Sequence, residues 1–291
     1  MSGVKVLVAA GFGINCQEEM AAAWKAGGAD AEVVHLNELF AGTRSLGEFH
    51  VFCIPGGFSF GDDLGSGKVL ASRLRFRRMP DGRRFFDDLT GFVGNGGFIL
   101  GVCNGFQVLV KLGLLPNLGG EYEQEVTLAP NDSGIFEDRW VKLSASPDSP
   151  QWIRGLEKLE LPIRHGEGKL VVRDSRIMQI LAEGSLIPLR YADNRFKPTD
   201  SYPANPNGSN LQAAGLIDRT GRILGMMPHP EAFLDEMLHP DWGGRRRRKR
   251  RGKASKTADG LLFFKALVAR IEAGVAEGQR ANPSGNSDSH G

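Results

Sequence analysis

The sequence predicts an α/β protein built on an open, mostly parallel sheet with helices on both faces. Two observations carry this. Residues 4–10, 51–54 and 98–100 are short, continuous apolar runs rather than alternating ones, as strands covered on both faces require. Each run ends in a glycine- or proline-containing turn and then gives way to helical spacing, the rhythm of βα units. The 39 glycines of the 291-residue chain suit many tight connections.

The elements follow in order. Residues 4–10 form the first strand. Gly11-Phe12-Gly13-Ile14-Asn15 turns the chain, with Asn15 as candidate N-cap of a helix over 16–26. Gly27-Gly28 ends that helix. Residues 31–36 and 51–54 are further strands, and the latter stops at Pro55-Gly56-Gly57. Helices are expected over 66–75 and 85–93. Residues 97–107 read strand, Gly101-Val102-Cys103-Asn104-Gly105, helix: the cysteine form of a nucleophile elbow. Residues 118–162 are less regular, with strands near 141–143. Arg164-His165-Gly166-Glu167-Gly168-Lys169 is a polar loop before a strand at 170–172. A helix is expected at 175–183 and a strand at 186–191. Residues 193–210 hold so many Asn, Pro and Gly that only a shaped loop fits. A strand pair at 213–217 and 223–227 leads into Pro228-His229-Pro230-Glu231. Residues 257–273 carry the apolar stripe of a final helix. The chain thus reads as one domain over 1–276, with a basic insertion at 245–253 and a disordered tail at 277–291.

Composition narrows the class. The formal net charge is +2, but residues 245–253 carry eight positive charges, which leaves −6 for the rest. The plain reading of this run is a solvated, flexible insertion. The alternatives are a contact with an acidic partner face and non-specific nucleic-acid binding, the latter unfavoured. Three unpatterned cysteines, Cys16, Cys53 and Cys103, argue against a disulfide framework and fit a reducing cytoplasm. They also show no metal-ligand spacing, so no metal site is expected. No apolar stretch approaches the roughly 20 residues of a membrane span, and the first ten residues do not read as a signal peptide.

At the elbow, Cys103 would sit at the apex of a tight turn. The N-terminal N–H groups of the next helix would favour its thiolate. A thiol nucleophile needs a base and the base an orienting group. His229, between two prolines and two residues before Glu231, is the first candidate base, and His165 the second. Gly56 and Gly57 let the backbone approach a ligand and aim an N–H at it. Gly65-Ser66-Gly67-Lys68 lacks the spacing of a phosphate-binding P-loop. The strand-end loops carrying Gly57, Cys103 and His229 can meet at one edge of a parallel sheet, where such folds place their sites.

Taken together, Pro55-Gly56-Gly57-Phe58-Ser59-Phe60-Gly61-Asp62, Gly101-Val102-Cys103-Asn104-Gly105-Phe106-Gln107 and Pro228-His229-Pro230-Glu231 resemble the class I (triad) glutamine amidotransferases, in the same order. His165-Gly-Glu-Gly, Asn205-Pro-Asn-Gly-Ser and Met226-Met-Pro-His-Pro-Glu further resemble the branch that serves as glutaminase of phosphoribosylformylglycinamidine synthase. The resemblance runs from about residue 4 to 242. It implies a flavodoxin-like fold, with Cys103 as nucleophile, His229 as base then acid, and Glu231 as its orienter. Gly57 and Asn104 N–H groups would hold the oxyanion. Gln107, Gly56 and Phe58 would bind glutamine, with His165 and Asn207 in supporting contacts behind the triad. It also implies that no cofactor is held by this chain. ATP and Mg would belong to a large synthase subunit, with a small third subunit left open. Cys16 reads as structural or as part of a partner-facing loop. A class I amidotransferase for another acceptor, a cysteine hydrolase, and a non-catalytic docking subunit stay as alternatives.

Overall fold

The computed structural model describes residues 3–281 apart from 147–148, 151–152, 154 and 251–256. Its main sheet holds β1 (Lys5–Ala10), β2 (Asp30–His35), β3 (Val51–Ile54), β4 (Phe98–Val102), β10 (Gly215–Ile217) and β11 (Ile223–Met226). The order is β10-β11-β4-β3-β1-β2, and only β10 runs antiparallel. This is the flavodoxin-like order with an antiparallel edge strand. All residues of β3 and β4 are buried, as their unbroken apolar character requires.

The helices are α1 (Gln17–Gly27), α2 (Leu36–Ala41), α3 (Lys68–Phe76), α4 (Phe85–Gly94), α5 (Asn104–Lys111), α6 (Ser175–Glu183), α7 (Trp242–Arg250) and α8 (Asp259–Ala281). The chain moves one way across the sheet from β1 to β2 and the other way from β3 to β4. Right-handed crossovers therefore put α1 on one face and α3, α4 and α5 on the other. Helix α8 packs on α1, where Trp24 and Phe264 meet edge to face at 5.3 Å. Both rings are wholly buried, and each contributes about 2–3 kcal/mol of hydrophobic stabilisation.

A second layer is inserted between α5 and β10. Strand β5 (Val126–Pro130) pairs with β8 (Glu167–Val172), and β6 (Glu137–Ala145) lies between β7 (Lys158–His165) and β9 (Leu189–Ala192), all antiparallel. The β7–β8 turn reaches the C-terminal edge of the main sheet. There Pro162 O accepts the His229 N–H at 2.8 Å.

Several readings of the chain need correction; among them, residues 164–169 belong to the ends of β7 and β8 rather than to a loop. The N-cap of α1 is Cys16, not Asn15, because the Asn15 and Cys16 N–H groups are both pulled onto Gly56 O at 3.1 Å. Helix α2 has no sequence counterpart in the expectations. It is started by His35, whose Nδ1 accepts the Asn37 N–H while Glu38 reaches back to the His35 N–H. The basic run is not simply flexible. Its first residues belong to α7, where Asp241 Oδ1 accepts the Gly244 N–H, and Arg245 is pinned among three carboxylates. Arg246, Arg247 and Arg248 are exposed as expected, while 251–253 lie outside the described residues. Finally, α8 continues through 277–281, because this stretch consists mostly of good helix formers. The tail expectation for 282–291 lies outside the described residues. Among the described residues no helix is long and apolar enough to cross a membrane.

Candidate active site

The three sequence-predicted loops do meet, at the C-terminal edge of neighbouring strands β3, β4 and β11. Cys103 adopts φ 50° and ψ −105° between β4 and α5, a sparsely populated conformation that costs on the order of 1–3 kcal/mol. The elbow is held at both ends. The Cys103 N–H donates to Met226 O at 2.8 Å, and its carbonyl accepts the Gln107 N–H at 3.0 Å. The flanking glycines let the turn close. A Cβ on Gly105 would lie 1.9 Å from Ile54 O, and one on Gly101 would lie 2.7 Å from the Gly105 backbone. The sulfur is buried and lies 3.5 Å from Arg164 O.

His229 is buried and follows β11. Its Nδ1 is 2.5 Å from Glu231 Oε1. Pro230 starts the short 3-10 turn Pro230–Ala232 that folds Glu231 back onto the ring. Burial disfavours the imidazolium, but the Glu231 carboxylate, and then Cys103 and Cys16, outweigh it. They hold the His229 pKa well above its ordinary value. Nε2 carries no hydrogen bond to another side chain or backbone group. The ring is therefore oriented through Nδ1 and has Nε2 free for proton transfer.

Gly56 and Gly57 form the wall opposite. A Cβ on Gly56 would lie 2.7 Å from His229 Cε1, so only glycine lets the imidazole sit there. Gly57, at φ +156°, is clamped between bonds from Asn15 N–H to Gly56 O and from Phe58 N–H to Gly13 O. Asn104 opens α5, so its N–H has no preceding helical turn to bond. Its side chain builds a network that the sequence did not reveal. Oδ1 accepts the Ser59 N–H at 3.1 Å, and Nδ2 donates to Asp62 Oδ1 at 3.2 Å and Gln107 Oε1 at 2.9 Å. This bolts the Gly57 loop to the elbow. Gln107 uses both ends of its amide, since Nε2 donates to Glu167 O at 2.6 Å. It braces the β8 edge against α5. Phe58 is half exposed on the rim, with its ring 6.3 Å from that of Phe136.

His165 and Asn207 sit behind the site, both against Gly168. Asn131 Nδ2 donates to the Ile135 and His165 carbonyls, which leaves its Oδ1 to accept from His165 Nδ1 at 3.0 Å. His165 therefore carries its proton on Nδ1. Burial, and then the charge of His229, push its pKa down to about 3, so it stays neutral and is no base for Cys103. Asn207 Nδ2 donates to Gly168 O at 2.8 Å, and its Oδ1 accepts from Ser209 Oγ at 2.7 Å. It fastens the Asn- and Pro-rich loop to β8. Cys16 was expected in a structural or partner-facing role. It lies against the His229 ring, with its sulfur 3.5 Å from the position a Gly56 Cβ would take. Only spatial proximity reveals this, since the two residues are 213 positions apart.

A thiol on a strained elbow beside an imidazole oriented by a carboxylate is an arrangement suited to acyl transfer. Comparison with known proteins agrees. Residues 3–268 match the CobB/CobQ-like glutamine amidotransferase domain. The chain is 42% identical over 243 residues to phosphoribosylformylglycinamidine synthase subunit PurQ of Dehalococcoides mccartyi, covering 83% of this chain and 90% of that one. It is 39% identical over 240 residues to the Methanococcus maripaludis subunit of the same name, covering 82% and 85%. A structure of PurLQS from Thermotoga maritima contains a chain that matches 93% of this one over its full length, at 25% identity and a TM-score of 0.65. The chain belongs to the CobB/CobQ-like glutamine amidotransferases and, within them, to the PurQ family.

Proposed function

We propose that this chain is the glutaminase component of phosphoribosylformylglycinamidine synthase. The observation that carries the chemistry is the strained Cys103 beside a His229 that Glu231 orients and whose imidazolium it stabilises. Cys103 passes its proton to His229, and the sulfur attacks the side-chain amide carbon of glutamine. The carbonyl oxygen gains charge and is met by the N–H groups of Gly57 and Asn104. His229 gives the proton to the departing nitrogen, and ammonia leaves behind a γ-glutamyl thioester. Water then adds to the thioester with His229 as base, and glutamate departs. Gly56, Phe58 and the edge braced by Gln107 surround the space left for glutamine, with His165 and Asn207 as the supports behind it.

Ammonia must reach an acceptor before it escapes to water. The names of the relatives and of the Thermotoga maritima assembly support a large synthase subunit as that acceptor, with a third small subunit as a further candidate. The Dictyostelium discoideum synthase supports it independently. This chain matches 18% of that protein, at 37% identity over 251 residues, so the stretch there belongs to the synthase polypeptide itself. We assign ATP and Mg to the partner, which would convert formylglycinamide ribonucleotide to formylglycinamidine ribonucleotide in the cytoplasm. Phe58 and Phe136, half exposed at the mouth of the site, offer that partner an apolar rim.

The test is Cys103→Ala in the complex with the synthase. Glutamine-dependent amination should vanish while ammonia-dependent amination persists. A variant that still used glutamine would overturn the mechanism. Loss of both activities in a correctly assembled complex would overturn the division of labour.

A further inference from the structure

Cys16 is a thiol against the His229 ring that the glutaminase chemistry does not use. Its sulfur, a His229 ring nitrogen and a Glu231 carboxylate oxygen all lie within 4.8 Å of one another. They reach that point from two loops, Cys16 after β1, and His229 and Glu231 after β11. Of the atoms these two residues offer, Glu231 Oε2 and His229 Nε2 are buried without a hydrogen bond, and the side chains are 2% and 4% exposed. Buried carboxylate oxygens are normally satisfied, so Glu231 Oε2 is a buried acceptor with nothing to accept.

We propose that Cys16, His229 and Glu231 form an inhibitory site for a thiophilic divalent cation of the zinc or cadmium class. One thiolate, one imidazole and one carboxylate is a borderline-soft donor set that suits these ions and not Mg²⁺. Ligands at about 2.0–2.3 Å from a tetrahedral zinc are about 3.5 Å apart. Donors within 4.8 Å of one another reach that spacing by shifts of about an ångström, and Glu231 Oε1 and His229 Nδ1, 2.5 Å apart, separate to admit the ion. The ion takes the place of the Cys16 thiol proton, which goes to solvent. It also draws Glu231 and His229 onto itself, so that the imidazole no longer exchanges a proton with Cys103. Chelation restores the triad, and the thiol of Cys103 is not consumed.

The proposal rests on the geometry of the cluster and not on turnover, so binding is tested without activity. Cadmium is titrated into the full-length Cys103→Ala protein, and the ultraviolet thiolate-to-cadmium charge-transfer band is followed. A band that saturates at one equivalent is expected. It should be lost in Cys103→Ala/Cys16→Ser and in Cys103→Ala/Cys16→Ala, both checked for native circular dichroism. The third cysteine, Cys53, is wholly buried between sheet neighbours. A band that survives removal of Cys16, or none before it, overturns the site. In the otherwise wild-type protein, Cys16→Ser should raise the zinc concentration for half-inhibition of glutaminase by at least about tenfold. An unchanged value overturns the inhibitory role even where binding is seen. Failure of glutamine hydrolysis altogether would strike the proposed function and leave the cadmium result standing.

Discussion

His229 Nδ1 and Glu231 Oε1 lie 2.5 Å apart, and both side chains are almost wholly buried. Two residues of sequence separation suffice because Pro230 forces the chain into a 3-10 turn. The carboxylate fixes the ring and stabilises its charged form. Glu231→Gln keeps the shape and removes the charge. Glutaminase kcat should fall by about 10²–10⁴-fold, the contribution of a positioned general acid–base, with circular dichroism unchanged.

A different kind of charge cluster lies at the other end of β7. Arg245 is 11% exposed and pairs with Glu160 at 3.0 Å, Glu236 at 2.8 Å and Asp259 at 3.5 Å. Burial, and beyond it the nearby Glu236 and Glu160, raise the Asp259 pKa to about 6 even with the guanidinium beside it. Arg245→Ala leaves three partly buried carboxylates facing one another. It should cost about 2–3 kcal/mol in urea unfolding, after allowance for partial exposure. Arg246→Ala and Arg247→Ala, on the exposed side of the same helix, should change stability by no more than about 0.5 kcal/mol. Equal effects at all three positions would return the whole run to a solvated role.

The contrast between these two clusters explains what the sequence conveyed. The strands, the elbow and the triad were legible because each is local. An apolar run, a pair of glycines at fixed spacing and a His-Pro-Glu turn can each be read within ten residues. Asn104, Asp62, Ser59 and Gln107 were legible one by one, but their joint network was not, because it depends on where the loop after β3 lands on α5. Arg245 was hidden inside a run of identical charges, and nothing local marks which arginine meets three acids from 160, 236 and 259. The approach of Cys16 to His229 is likewise set by the order of β1, β3, β4 and β11 across the sheet.

Two glycines in the site make opposite predictions when given a methyl group. On Gly56 it would meet the His229 ring at 2.7 Å, a side-chain neighbour, whereas on Gly105 it would meet the Ile54 carbonyl at 1.9 Å. A ring can turn aside, but the backbone of a buried strand cannot. Gly56→Ala should therefore lower kcat at least about tenfold with a modest loss of stability, as misplacing a catalytic group by about an ångström does. Gly105→Ala should lose more than about 3 kcal/mol or fail to fold. Kinetics and urea unfolding of the two variants side by side separate catalytic positioning from fold closure.

His165 sets the acid side of the stability curve. Its folded pKa is about 3 against an ordinary 6.5. As pH falls below about 6.5, the unfolded chain takes up a proton that the folded chain refuses, so stability is lost in this window at about 1.4 kcal/mol per pH unit. His229 works with the opposite sign. Its raised pKa means that the folded chain keeps a proton that the unfolded chain releases above about pH 6.5, and that contribution fades as pH rises through the folded pKa. His165→Asn places an amide near the former Nδ1, able to donate to Asn131 Oδ1, and removes the titration. Urea unfolding between about pH 6.5 and pH 5, a window in which Asp259 titrates alike in both proteins, should give a slope shallower than wild type by about 1 kcal/mol per unit. Parallel slopes for the two proteins would show that His165 takes up its proton in the folded chain as readily as in the unfolded one. The neutral buried ring beside the triad would then be wrong.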